Sequence, residues 1–323
     1  MVEKSRIIAA DAAGITAAVA RLVAGGIVAV PTETVYGLAA CAADADAVAR
    51  IYAAKGRPGF NPLIVHVADA VQARQLVRVD ALAARLMAAF WPGPLTLVLP
   101  LRPGAAVAGA VTAGLDTLAV RCPAHPVMQA LIAGAGPLAA PSANASGRIS
   151  ATTAAHVAAS LGDRVGLVLD GGACAAGVES TIIAVADGGW HLLRPGAVTM
   201  EELLAVAPLA APVAPAAASA AVRAPGMLAS HYAPRQPVRL GATSASAHEF
   251  HIGFGAITGD ASLSPTSNLA EAAAALFGLL HRAEASGRAA IAVAPVPETG
   301  LGRAINDRLR RAAAPRGSTP PGA

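Results

Sequence analysis

The stretch DADAVARIYAAKGRPGFNPLIVHV, residues 44–67, holds a helical pattern, a turn and a strand pattern in succession. Its first half opens on acidic cap candidates, repeats apolar residues at helical spacing and stops at Gly56. Its end, PLIVHV, is short, β-branched and bounded by Pro62 and a polar turn, which predicts a buried strand. A helix leading straight into a buried strand is the repeating unit of an α/β fold. Two residues here are not explained by packing. Lys55 is one of two lysines in a chain that otherwise uses arginine, and it stands two residues before Arg57. His66 sits among Ile64, Val65 and Val67, where an apolar side chain would need no hydrogen-bond partner.

The same alternation extends outward. ITAAVARLVAGG reads as an amphipathic helix ending in glycines before the strand IVAVPT, and DALAARLMAAFWPGP as a helix stopped at Pro92. Further strands are predicted in LTLVLP, TLAVRCP, PLAAPS, LVLDGG, STIIAV and HLLRPG. This describes an α/β domain over residues 1–207 with a largely buried, mixed sheet. From 208 to 237 the pattern collapses into PLAAPVAPAAASAAVRAPGMLASHYAPRQP, whose six prolines predict a semi-extended linker. Residues 238–323 resume with FHIGFG, NLAEAAAALFGLLHRAEASG, AIAVAPV and GLGRAINDRLRRAA, a small βαβα unit with a frayed tail from about residue 314.

Composition narrows the function classes. A hydrophobic content of 55% with 14% charged residues argues against disorder. The longest apolar candidate, residues 22–43, is broken by Pro31, Glu33 and several glycines, and MVEKSRIIAADAAG lacks a signal peptide's continuous apolar core. A cytoplasmic protein with no membrane span is expected. Cys41, Cys122 and Cys174 occur singly, and His248 and His251 in HEFH are too few for a site, so no metal centre is expected. Residues 1–207 carry 14 cationic and 14 acidic side chains, while 208–323 carry ten arginines against six acids, which accounts for the net charge of +4. No basic run marks a broad nucleic-acid groove.

The polar residues of the first domain gather at strand ends: Lys55 and Arg57, Arg121, Arg194, Ser142 and Asn144, Ser146 and Ser150, and Glu179 to Thr181. In open α/β sheets ligands bind at such edges. Cations with hydroxyls and amides there would suit a polyanion such as a nucleoside triphosphate. Neither G-x-x-x-x-G-K-[ST] nor a strand-linked G-x-G-x-x-G is present, so a nucleotide would need another architecture.

The segments PTETVYGL (31–38), KGRPGFNPLIVHV (55–67), FWPGPLTLVL (90–99), TLAVRCPAHP (117–126), PLAAPSANASGRIS (137–150), GVESTII (177–183), LLRPG (192–196) and APGMLASHYAP (224–234) resemble the threonylcarbamoyl-AMP synthases of the YrdC/Sua5 type, in the long Sua5 form. The resemblance implies a YrdC-like twisted mixed sheet with a cationic cleft, followed by a small Rossmann-like α/β domain. It implies synthesis of threonylcarbamoyl-AMP and pyrophosphate from L-threonine, bicarbonate and ATP, with Mg2+ on the triphosphate, for N6-threonylcarbamoyladenosine in tRNA. It places Lys55, Arg57, Ser142 and Asn144 in catalysis, and these with Asn61, Thr117, Ser150, Arg194 and Tyr232 around ATP. The threonine pocket would take Thr34, His66, Arg121 and Ser180. The product would pass to the tRNA threonylcarbamoyl transferase machinery, and weak RNA binding is possible. Tyr232, in the linker's SHYAP, would belong to a lid. Many relatives read G-A-D-A after PTETVYGL, whereas this chain has Ala39-Ala40-Cys41-Ala42 and lacks that carboxylate. Two competing functions are an RNA-binding or ribosome-assembly module using the same cationic concavity, and a carbamoyl-transfer enzyme built on a related domain.

Overall fold

The structure is a computed structural model, and it describes residues 6–186, 189–210 and 231–315. The chain separates into two compact units. The first runs to Ala145 and resumes at Ser150; the second takes Ser146–Ile149 and the described chain from His231 onward.

In the first unit the strands are β1 (Arg6–Ala9), β2 (Val28–Val30), β3 (Gly37–Cys41), β4 (Ile64–His66), β5 (Leu95–Pro100), β6 (Thr117–Arg121), β7 (Leu138–Ala139), β8 (Leu167–Asp170), β9 (Thr181–Ala186) and β10 (Gly189–Arg194). Among the described residues they form one mixed sheet in the order β1-β8-β2-β3-β7-β4-β6-β5-β9-β10. Its helices are α1 (Ala12–Val23), α2 (Ala45–Lys55), α3 (Ala70–Leu76), α4 (Ala81–Phe90), α5 (Gly109–Thr112), α6 (Pro126–Ala135), α7 (Ala154–Leu161) and α8 (Met200–Val206). Six of these start on a side-chain oxygen cap from Asp11, Asp44, Asp69, Asp80, Thr153 or Thr199, and Gly56 ends α2 in the left-handed region at φ 61°.

Cross-strand register assigns every strand residue to one of two faces. On one face Ala29, Leu38, Ala139, Val65, Val120, Leu97 and Ile183 belong to the main core, with Ile51 of α2, Leu86 of α4, Val157 of α7 and Leu203 of α8. That face is apolar over most of its extent. The opposite face changes character along the sheet. Over β8, β2, β3 and β7, Leu169, Val28, Ala39 and Leu138 pack under Leu22 of α1 and Leu131 of α6. Beyond β7 the apolar material shrinks to Ile64, Val98, Ala119 and Ile182, with Ala184 and Leu193 beside them.

The second unit has strands β11 (Val238–Leu240), β12 (Glu249–Gly253), β13 (Ala261–Ser262) and β14 (Ala290–Val293), with helices α9 (Leu269–Ala285) and α10 (Gly302–Ala313). The sheet order is β11-β14-β12-β13, all pairs parallel. The βαβα expectation covered β12, α9, β14 and α10 but not β11 or β13. Those two strands are three and two residues long and lie largely out of the core, so neither shows a buried-strand pattern. Linker residues 211–230 and the tail from residue 316 lie outside the described residues. Leu209 and Ala210 still belong to the first unit, where the Ala210 amide donates to the Trp190 carbonyl.

Candidate active site

The candidate site lies on the second half of that mixed face, where His66, Arg121 and Arg194 are the last residues of β4, β6 and β10. His66 of β4 pairs with Arg121 of β6, and Thr96 of β5 pairs with Ile182 of β9, which pairs in turn with Arg194 of β10. Because Leu97 stands opposite Val120 in an antiparallel pair, Thr96 comes opposite Arg121. One row across five strands therefore reads His66, Arg121, Thr96, Ile182, Arg194. Four of its five members are polar, and all are buried.

Each polar member has a built environment. The Arg121 guanidinium, 3% exposed, forms an ion pair with Glu33 at 2.6 Å and donates to the Thr34 hydroxyl at 2.9 Å and the Gly93 carbonyl at 3.2 Å. Thr34 is held by Thr32, whose hydroxyl lies 2.9 Å away and also donates to the Val35 carbonyl. Burial pushes the Glu33 carboxyl up, but the Arg121 charge and hydrogen bond outweigh it and hold the group below its ordinary value. Burial and the neighbouring Arg121 charge drive His66 down to about 3, so the imidazole is neutral at pH 7. Its Nδ1 is buried without a hydrogen-bond partner. At the far side Arg194 donates to the Ser180 carbonyl at 2.9 Å and to the Ser180 hydroxyl at 3.2 Å, and that hydroxyl lies 2.7 Å from Thr96.

A second cluster is built around the loop that follows β7. Lys55 is the last residue of α2, just before the Gly56 stop, and is 3% exposed. Its ammonium donates to the carbonyls of Ser142 at 2.6 Å and Asn144 at 2.5 Å. Burial, then the charges of Arg57 and Arg164, hold its pKa well below the ordinary lysine value. Arg57 grips the turn after α2, donating to the Asn61 carbonyl, the Asn61 side-chain oxygen and the Pro62 carbonyl. The Asn61 amide nitrogen is buried without a partner. The loop runs on to Ser150, whose hydroxyl donates to Glu179 at 2.5 Å, and Glu179 directly precedes Ser180. Thr117 is half-buried on the same face as Ala119 and Arg121.

The first unit thus brings Thr34, His66, Arg121, Ser180 and Arg194 into one cluster and Lys55, Arg57, Asn61, Ser142 and Asn144 into another, with Ser150 bridging toward Ser180. Tyr232 packs within the second unit. It is 1% exposed, lies beneath the Arg308 guanidinium at 5.2 Å and touches the Phe277 ring at 5.6 Å between centroids. Sequence reasoning missed Glu33 and Thr96. Thr96 is an ordinary strand residue by type, and only its register against Arg121 and Ile182 reveals it.

Residues 20–196 match the family described as Sua5_yciO_yrdC, telomere recombination, and residues 198–314 match the threonylcarbamoyl-AMP synthase C-terminal domain family. The chain is 42% identical over 312 residues to the threonylcarbamoyl-AMP synthase of Bacillus subtilis, covering 90% of each. It is 41% identical over 310 residues to that of Pyrococcus abyssi, covering 89% of this chain and 90% of the relative. The crystal structure of P. abyssi Sua5 complexed with L-threonine superposes with a TM-score of 0.83 at 38% identity, covering 93% of this chain and 94% of the other. The E. coli YciO structure, at 23% identity and a TM-score of 0.52, shares the fold over 60% of this chain and 96% of its own.

Proposed function

The chain belongs to the Sua5/YrdC family in its two-domain form, and from that premise we propose that it is an L-threonylcarbamoyladenylate synthase, joining L-threonine, bicarbonate and ATP with release of pyrophosphate. The observation that supports this most is Arg121: a buried guanidinium oriented by Glu33 and Thr34, beside a neutral imidazole and a small apolar floor. A fixed cation with hydroxyls around it suits an amino-acid carboxylate. Ile64, Val98 and Ala119 offer apolar surface for a threonine methyl. The unpartnered His66 Nδ1 accepts an N–H without adding charge beside Arg121. Ser180, held by Thr96 and Arg194, supplies a further hydroxyl.

Lys55, Arg57, Asn61, Thr117, Ser142, Asn144, Ser150 and Arg194 form the nucleotide side. Lys55 fixes the 142–144 backbone through two carbonyls, and a triphosphate nearby would raise its pKa. Tyr232 is assigned to the nucleotide by resemblance alone. Magnesium enters as part of the nucleotide substrate. The threonine amine and bicarbonate give a carbamate, whose oxygen attacks the α-phosphorus as pyrophosphate leaves. No protein nucleophile is required, so the protein's contribution is to hold the reactants together, exclude water and offset phosphate charge. The product serves tRNA modification through a downstream transferase, and the compartment is the cytoplasm. Pyrophosphate release is measured with threonine and bicarbonate omitted in turn. It should fall to background in both cases, and undiminished release without threonine would remove the synthase reading.

A further inference from the structure

The loop from Ser142 to Ser150 carries three polar side chains of the nucleotide side, and its ends and its middle are held differently. At the ends the first unit supplies the partners. The Leu38 amide donates to the Pro141 carbonyl, the Ala143 amide to the Tyr36 carbonyl and the Tyr36 amide to the Ala151 carbonyl. The middle, Ser146–Ile149, belongs to the second unit. There the Ala233 amide donates to the Gly147 carbonyl at 2.9 Å, and Arg148 pairs with Ala233 in a parallel bridge. The Arg148 guanidinium forms an ion pair at 2.5 Å with Glu284, near the end of α9. The same Glu284 oxygen accepts from the Arg235 amide at 2.6 Å, and the Glu284 carbonyl accepts from the Gln236 side chain at 3.0 Å. One residue thus gathers the middle of the loop and the segment that follows Tyr232.

We propose that Glu284 is a positioning residue for the nucleotide side, acting through Arg148 on the loop. This rests on the assignment of that loop to ATP. An ion pair of two half-buried side chains adds little to stability. Its effect here is on order. Gly147 turns the middle of the loop at φ 76° and brings no side chain to pack, so the ordering of this stretch depends on its neighbours' contacts. Arg148 stands four residues after Asn144, whose carbonyl Lys55 holds, and two before Ser150, whose hydroxyl donates to Glu179. A nucleotide that meets a loosened loop has to order it, and that entropy cost weakens binding. Threonine avoids the cost, because His66 and Arg121 lie on the sheet and Thr34 is held by Arg121. The second unit therefore tunes the affinity for nucleotide and leaves that for the amino acid alone.

The test is steady-state kinetics of the full chain with Glu284→Ala, Arg148→Ala and the double variant, read as pyrophosphate release against ATP and against threonine separately. Both side chains are half-buried, so the variants should fold, which thermal melts followed by circular dichroism check. Each single variant should raise the KM for ATP about fivefold, with kcat and the KM for threonine within about twofold of wild type. The double variant should be no worse than the worse single one, because both changes remove the same contact. An unchanged KM for ATP in both single variants overturns the proposal. So does an equal rise in both KM values, or single effects that multiply in the double variant. A wild type without threonine-dependent pyrophosphate release removes the synthase reading, and the inference with it, whereas failure of the inference alone shows only in the variants.

Discussion

The two halves of one sheet face invite comparison. Over β8, β2, β3 and β7 the face is Leu169, Val28, Ala39 and Leu138, sealed by α1 and α6. Over β4, β6, β5, β9 and β10 the same pleat presents His66, Arg121, Thr96 and Arg194 across a thin apolar floor. Burying polar groups costs stability unless each is satisfied, and an apolar row would pack with no such requirement. The second half therefore gives up stability for recognition, and the first half supplies the rigidity that holds the row in place. Changes in the polar half should cost turnover, and changes in the apolar half should cost stability.

The largest effect is expected at Lys55. Lys55→Ala removes a charge from the nucleotide side and the clamp on the 142–144 loop, so turnover should fall about 100-fold or more. The fold should also weaken, by about 1–3 kcal/mol, because two carbonyls lose a buried charged donor. Wild-type turnover would break the division between the halves. Leu22→Ala, in the sealed half, should cost about 2–5 kcal/mol in denaturant unfolding. Turnover per folded molecule should stay within about twofold; a tenfold loss would show that the halves are not separable.

His66 sharpens the comparison by pH. Its folded pKa of about 3 lies below the ordinary histidine value of 6.5, so the unfolded chain binds the extra proton first. Its contribution is complete above pH 6.5 and is lost as pH falls toward 3, on the order of 2 kcal/mol by pH 5. Urea midpoints of the wild type should drop over that window, and His66→Asn should drop less. Parallel curves would mean that the imidazole is not held neutral by its site. The smallest effect is expected at Thr96→Val, which keeps the shape and removes the hydroxyl 2.7 Å from Ser180. The KM for threonine should rise about fivefold with little change in melting temperature; an unchanged KM would remove Thr96 from the site.

Much of the fold was legible in the sequence because its central strands are apolar runs and its helices carry caps and glycine stops. The strand Gly37–Cys41 was not, since three of the five residues in GLAAC are glycine or alanine in a chain rich in both. Lys55, His66 and Arg121 could be read as anomalies of residue type in their surroundings. Their arrangement could not. Which strands are neighbours, and in what register, depends on contacts between distant segments, so the row that joins His66 to Arg194 exists only once the sheet is assembled. The same holds for Glu33, whose partner Arg121 lies far along the chain. The burial of Lys55 at the end of α2 likewise depends on the loop after β7 folding over it.

The central claim is that the polar half of this face is a threonine site organised by Arg121. The most direct test is calorimetric titration of L-threonine into the wild type and into Arg121→Met/Glu33→Gln, which removes both charges together so that neither is left buried alone. Melting temperatures of the two proteins should be similar. The wild type should bind with a saturating heat signal, and the double variant should bind at least about tenfold more weakly. Equal affinity in the two proteins would contradict the account.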